Sequence, residues 1–278
     1  GIPAEPLFRS KRRSTPITKY TTNLVKGDSM KTGVLFFCFD TPTCEYHKIA
    51  ERCVALIKKN LQLEITIVTN METFKKFKPM GFINFILHDN ETGNKRGKEQ
   101  WHNLDRCHAY DLSPYDTTIL MDCDYLPFTD NLLEHTKVDE DFLLYDKIHD
   151  LTGKDVYDFR NNSIIPMVWA TVIVFKKTAR AKSIFDAVKY IKKHYQYFVD
   201  LYRIDFRNFR NDYAFSIALN QVNGHIQQKF LPGKLSTLPE IAKVTEITDT
   251  KVTFNYEDKI NWVENQDLHI LDKGVVNV

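Results

Sequence analysis

The feature that most constrains the fold is a series of short segments that are apolar almost throughout. Strands buried on both faces give such runs, whereas strands with one wet face alternate apolar and polar residues. After the first run, Thr41 and Pro42 open a segment in which Tyr46, Ile49 and Cys53 recur at helical spacing. The sequence therefore predicts an α/β fold with a mostly parallel central sheet covered on both faces. The runs are GVLFFCF (33–39), LEITIVT (63–69), FINFIL (82–87), TTILM (117–121) and MVWATVIVF (167–175).

The second half of the chain is less regular, and we predict a mixed arrangement of strands and helices there. No internal repeat and no long linker divides the chain. Residues 30–278 are therefore predicted to form one domain. Further strands are expected at 142–146, 226–231 and 252–256, and helices near 178–198 and 209–223.

Residues 1–29 differ in composition from the rest. They are rich in Pro, Thr, Lys and Arg, and they show no apolar periodicity. We interpret them as an N-terminal arm or as a remnant of an expression vector. The basic cluster at Arg9–Arg13 would either touch an acidic partner or pack passively.

Composition bears on the cellular setting. The five cysteines are odd in number, include no CxxC pair and fall mostly in apolar segments, which favours a reducing compartment. No run of about 18 apolar residues is present, so we predict no transmembrane helix, and no apolar segment at the N-terminus suggests a signal peptide. The expected location is the cytoplasm, or the host cytoplasm if the source is viral. A net charge of +2 does not by itself indicate a nucleic-acid partner.

The triplet Asp122-Cys123-Asp124 is the strongest chemical signal. It ends the apolar run TTILM, and ligands of open α/β sheets bind at the carboxyl ends of strands. If strand geometry continues through Asp124, both carboxylates point to the same side and can bind one hard cation, Mn²⁺ or Mg²⁺, shared with a diphosphate. The alternative is a strand-end turn whose acids face water. A second triplet, Asp139-Glu140-Asp141, lies in a run of charges typical of a solvated face.

Residues 101–129, WHNLDRCHAYDLSPYDTTILMDCDYLPFT, resemble the donor-site segment of GT-A glycosyltransferases, most of all the glycogenin-like and bacterial galactosyltransferase-like family 8. Arg106 matches the family's helix arginine, 113–116 its turn, and Asp122 and Asp124 its metal motif. The resemblance implies a single GT-A, Rossmann-like domain over 30–278 and transfer of a sugar from a nucleotide sugar, with UDP as the expected nucleotide. It also implies Mn²⁺ or Mg²⁺, and retention at the anomeric carbon.

The same resemblance assigns roles to six further residues one at a time. His269 would be the third metal ligand, while Lys273 and Gly274, together with Arg106, would meet the diphosphate. Asp40 would contact the base or the ribose, although a strand-end acid can equally cap a helix. The pair Asn211 and Asp212 would face the reacting sugar and act in catalysis, although an acid at a helix N-terminus can equally stabilise the helix dipole.

The chain departs from the family pattern in three places. The spacing between His269 and Lys273 is shorter, the Pro-Trp pair after the lysine is missing, and residues 168–171 (VWAT) replace an Asn/Asp-Ala-Gly sugar contact. These departures leave the sugar open. Trp169 either narrows the donor pocket toward a pentose such as arabinose or belongs to the core.

The acceptor is also open. Segments 175–182, 189–198 and 203–210 interleave Lys and Arg with aromatic residues, a pattern that suits phosphates and stacked bases but also an ordinary amphipathic helix. Because some bacteriophages glycosylate hydroxymethylated DNA bases, a hexosyl- or arabinosyltransferase of a bacteriophage with a DNA acceptor stays an alternative.

Two functions of other classes also remain. A haloacid-dehalogenase-like phosphatase has a D-x-D after its first strand, but expects Thr or Val where this chain has Leu126. An inactive module that binds nucleotide sugars is the other alternative.

Overall fold

The structure is a computed structural model that describes residues 19–20, 30–89, 95–96, 99–100, 102–154, 165–204 and 208–274. The predicted arm, including Arg9–Arg13, lies outside the described residues apart from Lys19–Tyr20. The strands are β1 (Lys19–Tyr20), β2 (Thr32–Phe37), β3 (Glu64–Thr69), β4 (Ile83–Leu87), β5 (Lys95–Arg96), β6 (Glu99–Gln100), β7 (Thr117–Asp122), β8 (Tyr125–Leu126), β9 (Phe142–Tyr145), β10 (Ile148–Asp150), β11 (Trp169–Lys176), β12 (Leu235–Leu238), β13 (Lys243–Ile247), β14 (Lys251–Tyr256), β15 (Lys259–Glu264) and β16 (Leu268–Ile270).

The helices lie between these strands, and the two longest of those described are in the second half of the chain. A π-helical turn, Ile57–Leu61, continues the first helix, and a 3-10 helix, His102–His108, precedes the third. The α-helices are α1 (Tyr46–Leu56), α2 (Met71–Phe74), α3 (Ala109–Leu112), α4 (Asn131–Lys137), α5 (Ala179–Lys193), α6 (Tyr195–Leu201) and α7 (Asn211–Asn223). None of the described helices has both the length and the apolar character needed to cross a membrane.

The central sheet has seven strands in the order β1-β4-β3-β2-β7-β11-β9. The four strands β4, β3, β2 and β7 run parallel to one another. The direction reverses at β11, which is antiparallel to both β7 and β9, and β1 adds an antiparallel edge. The prediction of a mixed α/β fold with a mostly parallel central sheet is confirmed.

Both faces of this sheet are covered, as the apolar runs require. In β2, Val34 and Phe36 pack into the core on the side of α1, whereas Leu35 and Phe37 pack into the core on the side of α5 and α7. All four side chains are buried. The strand therefore has no solvent-exposed face, which explains why apolar and polar residues do not alternate in its sequence.

A second, four-stranded sheet of order β10-β12-β16-β8 joins distant parts of the chain. A three-stranded antiparallel sheet, β13-β14-β15, precedes its strand β16. The Asp272 carboxylate accepts a hydrogen bond of 2.9 Å from the backbone N–H of Val244 in β13. This contact fixes the chain just after β16 against the hairpin sheet.

Two predicted elements differ in the structure. The helix expected at 178–198 is divided at His194, which lies outside helical geometry between α5 and α6. The strand expected at 226–231 was wrong. There the Gln228 side chain donates a hydrogen bond to the carbonyl of Phe142, the backbone N–H of Ile226 bonds back to Asn223, and the backbone N–H of Leu231 bonds to Leu144 in β9. A side chain thus takes the position on the edge of β9 that a strand would occupy.

Gly33 in β2 is required by a close approach of the Tyr115 ring. A Cβ atom at Gly33 would lie 2.3 Å from Cζ of that ring, which is buried and whose hydroxyl lies 2.8 Å from Thr66 Oγ1. We expect Gly33→Ala to lower the free energy of unfolding by about 1–3 kcal/mol, because the ring must shift in a packed core. Urea denaturation measures the change. Gly81→Ala, where nothing lies within 4 Å, is the control, and equal midpoints for the two variants would contradict the prediction.

Candidate functional site

A cavity of about 270 Å³ opens at one edge of the central sheet. Strands β2 and β7 end there, with Phe37 opposite Asp122, and β11 begins there at Trp169. The start of α7 and the chain around β16 close the other sides. The predicted position at the carboxyl ends of parallel strands agrees with this geometry, and the reversal at β11 lets the beginning of a strand line the same edge.

Three potential metal ligands meet on one wall of the cavity. Ligand atoms of Asp122, Asp124 and His269 all lie within 4.8 Å of one another. The His269 Nε2 atom is 3.2 Å from Asp124 Oδ1 and 4.0 Å from Asp122 Oδ2. Strand β7 ends at Asp122, so a turn, and not strand alternation as predicted, brings the two carboxylates together.

This group has the donor set of a site for a hard divalent cation. Two carboxylates supply anionic oxygen, and a neutral imidazole adds a nitrogen that Mn²⁺ accepts. Asp124 Oδ1 is buried, and although the His269 ring nitrogen lies 3.2 Å away, no hydrogen bond of good geometry reaches this oxygen in the described part of the chain. A bound cation would satisfy it, so the residues present fit the predicted metal.

Lys273 contacts the same group from the other side. Its Nζ atom forms an ion pair with Asp124 and donates a 2.6 Å hydrogen bond to the carbonyl of Ile270. Burial alone would raise the pKa of Asp124, but the charges of Lys273 and His269 outweigh burial and hold that pKa well below its usual range. The two neighbouring cationic groups therefore favour the anionic form of Asp124.

Arg106 has a role that its sequence position did not indicate. The side chain is almost fully buried, and its guanidinium forms an ion pair with Asp122. It also donates a 2.9 Å hydrogen bond to the carbonyl of Thr171 at the start of β11. Arg106 lines the cavity, as expected of a diphosphate-binding residue, and it also holds one potential metal ligand in position.

Asn211 and Asp212 both line the cavity from the first turn of α7. Asp212 Oδ1 accepts a 2.9 Å hydrogen bond from the backbone N–H of Ala170 in β11, and its Oδ2 lies 3.3 Å from the guanidinium of Arg210. The carboxylate thus joins the helix start to the strand while facing the same space as the metal-ligand group.

Two other predicted residues are not among those that line the cavity. The Asp40 carboxylate accepts a hydrogen bond from the backbone N–H of His47 and lies within 3.0 Å of the His47 ring and of Lys76. These contacts correspond to the alternative of an acid at the start of a helix, and the contact with a nucleotide stays a prediction. Gly274 donates its backbone N–H to Asp272, 3.3 Å away.

The second acidic triplet is not part of the metal-ligand group. Glu140 forms an ion pair with Lys229, and Asp141 forms one with Arg180, while Asp139 is exposed. The sequence context had separated the two acidic triplets, and the structure shows a corresponding difference in their surroundings.

Tyr46 and Arg210 are among the residues of the cavity that sequence reasoning did not assign to the site. Tyr46 had been assigned only to the apolar face of a helix. Burial, and then the nearby Asp124 charge, raise its pKa well above the usual range, so its hydroxyl stays protonated. The signal for Arg210 was its place directly before the Asn211-Asp212 pair. The sequence had left open whether Trp169 lines the pocket or belongs to the core. The structure shows both, because Trp169 packs in the core and also lines the cavity.

No protein-family model and no curated protein matches the chain. Among solved structures, it is similar to the glycosyltransferase GlyE of Streptococcus pneumoniae TIGR4, with 16% identity over 73% of this chain and 46% of GlyE, and a TM-score of 0.42. It is also similar to the galactosyltransferase LgtC in complex with donor and acceptor sugar analogs (15% identity, 67% of this chain, 70% of LgtC, TM-score 0.45) and to mouse xyloside xylosyltransferase 1 (11%, 72%, 84%, 0.45).

The chain spans less than half the length of GlyE. At these identities and TM-scores, the similarity to these structures carries no conclusion about the activity of this chain. The mixed α/β fold with its mostly parallel central sheet rests on the strand pairings themselves.

Proposed function

We propose that this chain is a metal-dependent glycosyltransferase that takes a sugar from a nucleotide diphosphate donor, with UDP as the nucleotide. One observation carries the proposal: Asp122, Asp124 and His269 converge at the carboxyl edge of the sheet, between the cations Arg106 and Lys273. Three ligands for a hard cation, flanked by positive side chains in an open cavity, suit a diphosphate better than an uncharged ligand.

The residues of the site have separate roles in this function. A bound Mn²⁺ or Mg²⁺ would supply Lewis acidity to a diphosphate leaving group. Lys273 adds positive charge on the same side, where negative charge develops as the glycosidic bond breaks. Arg106 holds Asp122 and contributes a second cation to the cavity wall. Asp212 faces the sugar side, where a carboxylate stabilises positive charge on the anomeric carbon.

The sugar side of the cavity favours a small donor sugar. Trp169, Ala170 and Thr171 line it where the family pattern has an Asn/Asp-Ala-Gly sugar contact, and the indole of Trp169 is fixed by core packing. We therefore propose a pentose, such as arabinose, before a hexose. Retention at the anomeric carbon is proposed on the family resemblance alone.

The two functions of other classes fit the arrangement less well. In the phosphatase class the acid pair follows the first strand of the domain, whereas here it follows β7 and the acid after β2 is engaged by His47 and Lys76. An inactive module that binds nucleotide sugars would have the same cavity as an active enzyme. Only a measurement of turnover distinguishes these two functions.

We expect UDP and Mn²⁺ together to raise the melting temperature by roughly 5–10 °C. A ligand at a hundredfold excess over its Kd adds about 2.7 kcal/mol to the stability of a protein that binds it only when folded. Differential scanning fluorimetry gives the shift. UDP in EDTA and Mn²⁺ without UDP are the controls. An equal shift with UDP in EDTA would contradict a metal-bridged diphosphate.

Donor turnover is tested with a panel of nucleotide sugars in Mn²⁺, monitored by mass spectrometry for slow hydrolysis of the donor. Release of a free sugar from one member of the panel is the expected result. Binding without any turnover would identify a binding module, and hydrolysis of p-nitrophenyl phosphate in Mg²⁺ would identify a phosphatase.

A further inference from the structure

Positive charge is concentrated in one stretch of the chain. Residues 176–204 contain eight Lys or Arg and two Asp, a net charge of +6, although the whole chain carries only +2. This stretch forms α5 and α6. Three acids from other elements, Asp105, Asp111 and Asp141, pair with cations of the stretch, which leaves a net charge of about +3 on this side. An anionic polymer would still be drawn to it.

The outer side of these helices carries exposed aromatic rings next to positive charge. Tyr190 is 58% exposed and Tyr197 is 61% exposed, and Lys193 and His194 lie between them in sequence and are also exposed. We call these four residues the basic aromatic face. Its rings are supported by neighbours: the Tyr190 and His194 centroids are 4.6 Å apart, and Tyr197 packs edge-on against Phe198 at 5.3 Å.

Not every cation of the stretch is available to a partner. Lys189 pairs with Asp111 and Asp186, and Lys192 pairs with Asp105, which is fully buried. Lys193 forms no ion pair with any residue that the structure describes. It is therefore the cation of the face whose charge is not already neutralised.

The face lies at the cavity end of the molecule. Helix α5 follows β11 and runs back toward the edge where β11 begins. Near its C-terminal end, Lys192 contacts Asp105, the chain neighbour of the cavity residue Arg106. In α6, the Tyr195 ring packs against Phe209, which lines the cavity, with centroids 5.1 Å apart. A polymer held on the face can thus reach the cavity.

We infer that the basic aromatic face holds a single-stranded stretch of nucleic acid, whose bases stack on Tyr190 and Tyr197 and whose phosphates contact Lys193. The inference rests on the proposed function only in making this strand the acceptor of the sugar. Exposed rings next to cations are the combination by which proteins bind single strands without regard to sequence.

An anionic membrane fits the same face less well. A helix that lies in a membrane surface inserts a broad apolar face below the headgroups. Here the apolar side chains of α6, Phe198 and Val199, are buried in the core, and the exposed rings carry hydroxyl groups. Leu201 is the one aliphatic side chain that α6 exposes.

Fluorescence anisotropy with a labelled oligothymidylate of about 16 nucleotides tests the inference. We expect binding at low salt, weakened roughly tenfold by Tyr197→Ala and restored by Tyr197→Phe, because a stacked base requires the ring and not the hydroxyl. Lys193→Ala should reduce the slope of log K against log salt by about 0.7, the value for one phosphate contact on a single strand. Lys192 is left unchanged because its buried partner would lose its counter-charge.

The matched controls lie on the hairpin sheet. Trp262→Ala removes a ring that is 64% exposed, and Lys259→Ala removes an exposed cation, both far in sequence from the face. Neither should change binding. An abasic oligonucleotide of the same length keeps the phosphates without the bases and should bind more weakly than the oligothymidylate.

The inference is overturned if the oligothymidylate does not bind at low salt, if the abasic strand binds equally well, or if Tyr197→Ala behaves like Trp262→Ala. Binding to phosphatidylserine vesicles that depends on Tyr197, in place of binding to the strand, would assign the face to a membrane. These measurements use neither metal nor donor, so their failure is distinct from failure of the UDP and Mn²⁺ experiment, which tests the cavity alone.

Discussion

Asp124→Asn is expected to abolish donor turnover and to remove the part of UDP binding that depends on Mn²⁺. The amide keeps the volume of the side chain but gives up the anionic oxygen that a divalent cation requires. It also leaves Lys273 and His269 without their shared counter-ion, so the metal-free variant will itself melt lower. The decisive measurement is therefore the increment that UDP and Mn²⁺ add to the melting temperature, together with the rate of donor hydrolysis.

Asp139→Asn is the matched control for this variant. It makes the same chemical change at the exposed residue of the second acidic triplet, which is not part of the metal-ligand group. Both the ligand-induced shift and the turnover should be unchanged. If Asp139→Asn lost activity and Asp124→Asn kept it, the metal site would have been assigned to the wrong triplet.

Asp212→Asn is expected to lower kcat by a factor on the order of 10² or more, the scale of losing one preorganised electrostatic group. The affinity for UDP and Mn²⁺ should stay nearly the same, because the proposed function has Asp212 contact the sugar and not the diphosphate. An interaction made mainly in the transition state lowers kcat and kcat/KM together. The asparagine oxygen can still accept the hydrogen bond from Ala170, so the helix stays joined to β11.

Asp130→Asn provides the comparison for a purely structural role. Asp130 precedes α4 as Asp212 opens α7, but it is exposed and lies outside the cavity. An acid that only stabilises a helix dipole costs about 0.3–1 kcal/mol of stability when neutralised and leaves catalysis intact. If Asp212→Asn showed that same pattern, Asp212 would not belong to the catalytic group.

The central sheet was predictable because strands that are buried on both faces have nearly continuous apolar sequences, as β2, β3, β7 and β11 do. The partly buried β4 is also mostly apolar. The second sheet was not predictable for the opposite reason. Its strands β8, β10 and β16 are two or three residues long, too short for any periodicity. Their pairing joins segments far apart in the chain, and sequence order carries no signal for that.

The candidate site divides in the same way. Asp122 and Asp124 were identified from their place after a buried strand, whereas His269 depended on the family resemblance, since a single histidine has no distinguishing sequence pattern. Nothing local predicted that Arg106 binds Asp122 or that Asp212 bonds to Ala170, because both contacts are made across elements. Asp40 shows the reverse case, where a local interaction with the start of a helix engages a residue that had also been considered for the site.

The contact between Lys273 and Asp124 joins residues 149 positions apart, and His269 reaches the same carboxylate from β16, just before Lys273 in the chain. Closing so long a stretch of chain costs conformational entropy that only a folded domain can offset. The unfolded chain therefore offers at most the neighbouring pair Asp122 and Asp124, without the imidazole. A divalent ion that needs all three ligands would bind the native chain alone, and its binding energy would be added in full to the folding equilibrium. Free metal concentration would then govern how much of the whole chain is folded, far beyond the few residues that touch the ion.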